Sequence, residues 1–190
     1  FFQRLVELSG ITPNGNADIV PDSQYFDALR GSFVADTLAD LQSFPISLIN
    51  NGYALQMSGR SIAGDGGAGV FVWDGSNLSA EVSADTNQAI WIAPSSDTSG
   101  VSGAWVKAGG KLDVDLTVPV PSVFGTVQAA LDFLYRYGAN PNVYISVNIE
   151  SSTTMTDKIV VDARDYSFIA LTATDGTVPV DASIIGTGYD

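Results

Sequence analysis

The 190-residue chain sets 21 acidic against 8 basic residues, a formal net charge of −13, so its long-range field repels nucleic acid and anionic lipid. It has neither cysteine nor histidine, which excludes disulfides, thiol nucleophiles, imidazole bases and Cys/His zinc sites. Hydrophobic residues make up 45%, enough for a core, yet no apolar run approaches the roughly 18 residues that span a bilayer, so membrane insertion is not expected.

The acid excess reads first as solubility, with specific cation binding as the other reading. Residues 1–33 read as two short helices about a turn. Phe2, Leu5, Val6 and Leu8 fall near helical spacing, Gly10 closes that turn, and Pro13-Asn14-Gly15-Asn16 is dense in turn formers. Asp22 or Ser23 caps a second helix with Tyr25, Phe26, Ala28 and Leu29 on its apolar face, and Gly31 stops it. So small a unit cannot bury both faces alone and needs a partner, or must fold back on the chain's own β-structure. The chain begins Phe1-Phe2 and stops inside what reads as a β-run, from which a fragment is expected.

Residues 34–110 read as a small antiparallel β-module. A third helical stripe, Val34, Leu38 and Leu41, ends at Pro45. Strands are expected at 46–49, 53–57, 70–73, 89–93 and 104–107, with Asn50-Asn51-Gly52 as a tight turn between the first two. The polar run Pro94 to Gly100 reads as an exposed loop. Trp73, Trp91 and Trp105 lie inside apolar strands and read as core or inter-subunit packing rather than a sugar-stacking platform. Residues 111–122, bracketed by Gly109-Gly110 and by Pro119 and Pro121, read as an extended connector, and Asp113-Val114-Asp115 within it as solvated.

Residues 123–190 carry the clearest helix. Val127, Ala130, Leu131 and Leu134 form one face, Thr126 caps the start and Gly138 is expected to end it. Short β-runs follow at 143–149, 158–161, 167–171 and 182–185, the spacing of coils in a parallel solenoid whose open end the helix would cover. Periodicity alone leaves an α/β sandwich as the alternative.

The most singular stretch is the glycine-dense loop that runs into Val70-Phe71-Val72-Trp73. Gly64, Gly66 and Gly69 satisfy G-x-G-x-x-G, but a strand follows where a dinucleotide site needs a helix, and the kinase version needs a histidine-bearing loop. The loop therefore reads as a mechanical corner built on the backbone freedom of glycine. The carriers Gly64, Asp65, Gly66, Gly67, Gly69, Phe71, Trp73 and Asp74, with Gly103, Trp105, Val106 and Lys107, resemble the small β-module of bacteriophage tailspike and tail-fibre proteins. Ala68 stands where glycine is more usual. Residues 2–29 resemble the N-terminal segment upstream of that module. Thr126-Val-Gln-Ala-Ala-Leu-Asp132 with its following strands resembles the start of the right-handed β-helix in tailspikes and pectate-lyase-like enzymes.

These resemblances imply a mainly β protein with short helices. An N-terminal helical attachment segment precedes a small antiparallel β-module and the helix-capped first coils of a right-handed parallel β-helix. They imply a homotrimer in the virion tail, with Phe2, Leu5, Val6, Tyr25, Phe26 and Leu29 at virion or trimer contacts. Partners would be other tail, baseplate or adaptor proteins, and a host surface polysaccharide through the C-terminal region. No cofactor, metal or nucleic acid is implied. The full protein would be a polysaccharide depolymerase, a glycosidase or lyase, with no active site in this portion. Two other readings stand beside it, a free pectate-lyase-like enzyme and a non-enzymatic branching adaptor. The residues offer little chemistry of their own. Gly59-Arg60-Ser61-Ile62-Ala63 lacks the last glycine of a nucleophile elbow, and Trp105 stands where a Walker loop ending at Lys111 needs glycine. Asp162, Asp165 and Asp175 satisfy the loose two-carboxylate demand of glycoside hydrolysis only as any acidic chain would.

Overall fold

The structure, a computed structural model, describes Thr12 and residues 34–150, 159–160 and 166–174. It is mainly β with a few short helices. The chain divides into two compact units that interleave in sequence. One holds the described residues up to Leu78 together with Ile92–Ala108; the other holds Ser79–Trp91 and those from Gly109 onward. The expected strands at 158–161 and 182–185 fall wholly or partly outside the described residues, as do both helices expected in 1–33.

The first unit opens with β1 (Val34–Ala35) and α1 (Leu38–Ser43). The helical stripe expected from Val34 starts late, because β-branched Val34 pairs into the sheet and Thr37 sets the helix boundary. Thr37 and Asp40 form a capping box: the Asp40 N–H donates to Thr37 Oγ1 at 3.3 Å and the Thr37 N–H to Asp40 Oδ2 at 2.9 Å. The strand expected at 46–49 is a 3₁₀ turn over Ile46–Leu48, in which the Leu48 N–H donates to Pro45 O, so no hairpin forms there. Its sequel, β2 (Ala54–Met57), is entered through Gly52 at φ +86°, and β3 (Gly69–Asp74) follows the glycine loop.

Two elements come between β3 and the next long strand: α2 (Ser79–Ala84), which belongs to the second unit, and β4 (Trp91–Ile92), whose Ile92 returns the chain to the first. With β5 (Ala104–Lys107) the sheet runs β1-β2-β3-β5-β4. It is mixed rather than wholly antiparallel. β2 pairs with β3 and β3 with β5 in antiparallel fashion, but β1 pairs with β2 in parallel. Strand alternation puts Leu55, Met57, Phe71, Trp73 and Trp105 on one face, where Leu41 and Phe44 of the α1 region close over them. Trp105 meets Trp73 edge-on at 5.4 Å and Phe44 at 5.7 Å. Burying each such side chain contributes about 1.5–3 kcal/mol.

In the second unit every strand pairing is parallel among the described residues. β6 (Gly110–Leu112) and β7 (Leu116–Val120) precede α3 (Val127–Leu134), and β8 (Tyr137–Ala139), β9 (Ile145–Ile149) and β10 (Ile169–Ala173) follow it. β6 pairs with β8, and β9 lies between β7 and β10, paired with both. The stretch 111–122 is therefore extended, as expected, but as two laddered strands rather than a free connector. Pro119 is tolerated because β7 lies at the sheet's edge, where its missing N–H breaks no ladder. In-register pairing stacks like on like: Leu116 beside Ile145 and Ile169, and Val118 beside Val147 and Leu171. The inward row is closed at Val118 and Val147 and half open at Leu171.

α3 buries Val127, Ala130, Leu131 and Leu134, the face its spacing predicts, and lies against β7 and β9. The Ala129 N–H donates to Thr126 Oγ1 at 3.1 Å, so Thr126 is its N-cap. Gly138 does not end it: the helix closes at Leu134 with Tyr135 as its C-cap, and Gly138 sits in β8 beside Lys111. Asp115, expected to be solvated, accepts the Tyr144 N–H at 2.7 Å on Oδ1 and so ties β7 to the entry of β9.

Candidate functional site

The loop from Gly59 to Gly69 is organised by one side chain. The Asp65 carboxylate accepts the backbone N–H groups of Arg60 (2.7 Å) and Gly67 (3.4 Å) on Oδ1, and those of Ser61 (2.6 Å) and Ile62 (3.0 Å) on Oδ2. The bonds from Ser61, Arg60 and Ile62 hold its pKa far below the usual carboxylate range. The loop's N–H groups thus converge on the chain's own anion. That is the physical reason a glycine pattern close to a phosphate cradle is not one here.

Glycine is required at particular points. Gly64 and Gly66 take φ of +85° and +106°, a region costly to other residues. A Cβ on Gly59 would lie 1.8 Å from the Ile62 carbonyl oxygen. The loop is then pinned from outside. Lys107 Nζ donates to Ala68 O at 3.2 Å and Gly67 O at 3.4 Å, and lies 5.4 Å from the centre of the Phe71 ring. This lysine is 1% exposed, an ammonium taken out of water and compensated by carbonyl dipoles and an aromatic face.

The motif residues singled out in the sequence are brought together. Trp73 pairs with Trp105, and Phe71 with Lys107, across β3 and β5. Gly103, at φ +118°, allows β5 to start beside Asp74, where a Cβ would come within 2.3 Å of the Asp74 carbonyl oxygen. Trp91 is buried too, but in the second unit, stacked on Phe133 at 5.3 Å. The six residues assigned to attachment contacts, Phe2, Leu5, Val6, Tyr25, Phe26 and Leu29, lie outside the described residues.

Sequence reasoning missed three other side-chain anchors. Asp85, 2% exposed, accepts the N–H groups of Ala89, Ile90 and Trp91 at 2.7–2.9 Å and shortens the strand expected at 89–93 to two residues. Asp97 accepts the Ser99 and Ser102 N–H groups and orders the 94–103 loop, and hydrogen bonds from both serines lower its pKa. Glu150 accepts the N–H and hydroxyl of Ser122. Acidic residues near Ser and Asn were the only available signal, and they do not name their partners. Among the described residues no group of three His, Cys, Asp or Glu side chains could hold a metal ion, and no helix is long and apolar enough to cross a membrane.

The arrangement defines a mainly β protein in which a self-satisfied glycine corner is locked to the core of a five-stranded sheet. The chain matches no known protein family, no curated protein and no solved structure.

Proposed function

We propose that the chain is the N-terminal part of a bacteriophage tailspike, a trimeric receptor-binding tail protein that carries a host-glycan-recognising β-helix on the virion. The parallel, in-register pairing of β6 with β8 and of β9 with both β7 and β10 supports this reading most strongly. Two strands, a crossover and two strands stacked on them make a repeating rung. One such step spans 29 residues between Thr117 and Ser146, and the next spans 24 between Asn148 and Thr172. Repeats of this kind build a rod, and a rod displays a long lateral surface suited to a repeating polysaccharide. Trimerisation raises avidity for such a ligand without any new contact. The corner of Asp65 and Lys107 braces the β-module that precedes the rod in sequence, and the attachment role belongs to residues 1–33. The right-handed sense of the rod and its glycan specificity are part of the same proposal.

Immunogold electron microscopy with antibodies against this chain tests it on particles from a culture that produces the protein. Gold at the tail ends of virions is expected. Gold confined to cell lysate or medium, with bare tails, would refute it.

A further inference from the structure

β7 ends its sheet among the described residues, and the outer edge of a sheet is a template on which another strand can pair. The ladder fixes which backbone groups of β7 face outward. The Leu116 N–H donates to Tyr144 O and the Glu150 N–H to Val120 O, both at 2.9 Å, so Leu116, Val118 and Val120 direct their backbone groups at β9. Asp115, Thr117 and Pro119 alternate with them and direct theirs to the outer side. That side is blocked at both ends. The Asn87 side-chain amide donates to Asp115 O at 2.9 Å, the Val123 N–H donates to Pro119 O at 3.2 Å, and Pro119 has no N–H to offer. Thr117 stands between the two blocked positions.

Asn87 reaches this edge from a segment whose shape is imposed at several points. Ser79–Trp91 leaves the first unit to join the second, and α2 within it lies against β7. The Asp85 N–H donates to Glu81 O at 2.9 Å and so continues the helix, while the Asp85 carboxylate gathers the N–H groups of Ala89, Ile90 and Trp91. Gln88 is held at φ +55°, a conformation that a non-glycine residue keeps only where its surroundings over-determine it. Trp91 closes the segment by stacking on Phe133 of α3. We propose that Ser79–Trp91 is an edge stop, in which Asn87, with Pro119 and Val123, keeps any further strand from pairing with β7. The parallel stack then extends on the β10 side alone. The inference rests on the pairing of the described strands and not on the tailspike reading.

The test compares wild type, Asn87→Ala, Pro119→Thr and the double variant for assembly into dye-binding β-structure, by thioflavin T fluorescence and light scattering of the whole chain up to about 100 µM. Leu134→Ala is the control, because it loosens the same unit without touching this edge. Wild type is expected to stay clear to the top of that range. Each single variant opens one hydrogen-bonding position and is expected to assemble about 5-fold below it, and the double variant about 30-fold below it, the worth of one and two net hydrogen bonds. Circular dichroism melting close to that of wild type marks the edge variants as folded, and if the double variant does not fold, Pro119→Thr alone decides the matter by the same criterion. A folded edge variant that stays clear throughout would overturn the inference. So would a wild type or a Leu134→Ala variant that assembles at as low a concentration as the double variant, since opening the edge would then have changed nothing that loosening does not.

Discussion

Three glycines of the first unit separate two costs that are normally confounded. Gly64 takes φ +85° with open space around the missing Cβ, so Gly64→Ala is charged only the left-handed conformation, about 1–2 kcal/mol. Gly59 has no positive φ, but its Cβ would fall 1.8 Å from Ile62 O and 2.6 Å from Ile62 C, so Gly59→Ala meets backbone that cannot swing aside. Gly103 combines the two: φ +118°, with Asp74 O at 2.3 Å, the Gly75 Cα at 2.8 Å and Trp73 Cζ2 at 2.9 Å. The conformation alone costs about 1–3 kcal/mol, and separating β5 from the end of β3 adds overpacking of similar size. Gly103→Ala should therefore lose about 3–5 kcal/mol, a large part of a domain's stability. Urea unfolding followed by tryptophan fluorescence reads this out, since Trp73 and Trp105 flank the site. With a urea slope near 2 kcal/mol/M the midpoint should fall by about 1.5–2.5 M for Gly103→Ala and by about 0.5–1 M for Gly64→Ala. Equal shifts for the two would refute the claim that close approach at the β3–β5 junction, rather than φ alone, makes glycine necessary there.

Leu134, fully buried on α3, should cost about 2–5 kcal/mol when truncated to alanine, read as a lowered melting temperature in circular dichroism. The Asp65 carboxylate has a folded pKa below its unfolded value, so its stabilisation is present above about pH 4 and lost as pH falls through the folded pKa. Asp65→Asn should remove that acid dependence and speed amide exchange at Arg60, Ser61 and Ile62; unchanged exchange there would count against its organising role. Burial raises the Tyr137 phenol to about 12, with Arg136 opposing and Asp85 adding to the shift. Ultraviolet titration should show Tyr137 ionising late. Above pH 10 the unfolded phenol gives up its proton before the folded one does, so stability should decline as pH rises from 10 towards 12. Tyr137→Phe should flatten that decline.

Local pattern determined a good deal of this protein. The spacing of Val127, Ala130, Leu131 and Leu134 and the hydroxyl of Thr126 are sufficient to place α3, because a helix is built from contacts within four residues. β-Branched and aromatic runs likewise place β3 and β5, with Ala104–Lys107 matching its predicted bounds. The glycine–aspartate run also shows in the sequence as a corner that is not a nucleotide site. What the tertiary structure alone decided is pairing over distance. That Val34 leaves its helical stripe to lie parallel to β2, and that 111–122 is laddered, depends on strands far along the chain. So does the assignment of Ser79–Trp91 to the unit that resumes at Gly109. The roles of Lys107 and Asp85 were hidden for the same reason: a buried charge is defined by the carbonyls or N–H groups it meets, and composition does not say which those are.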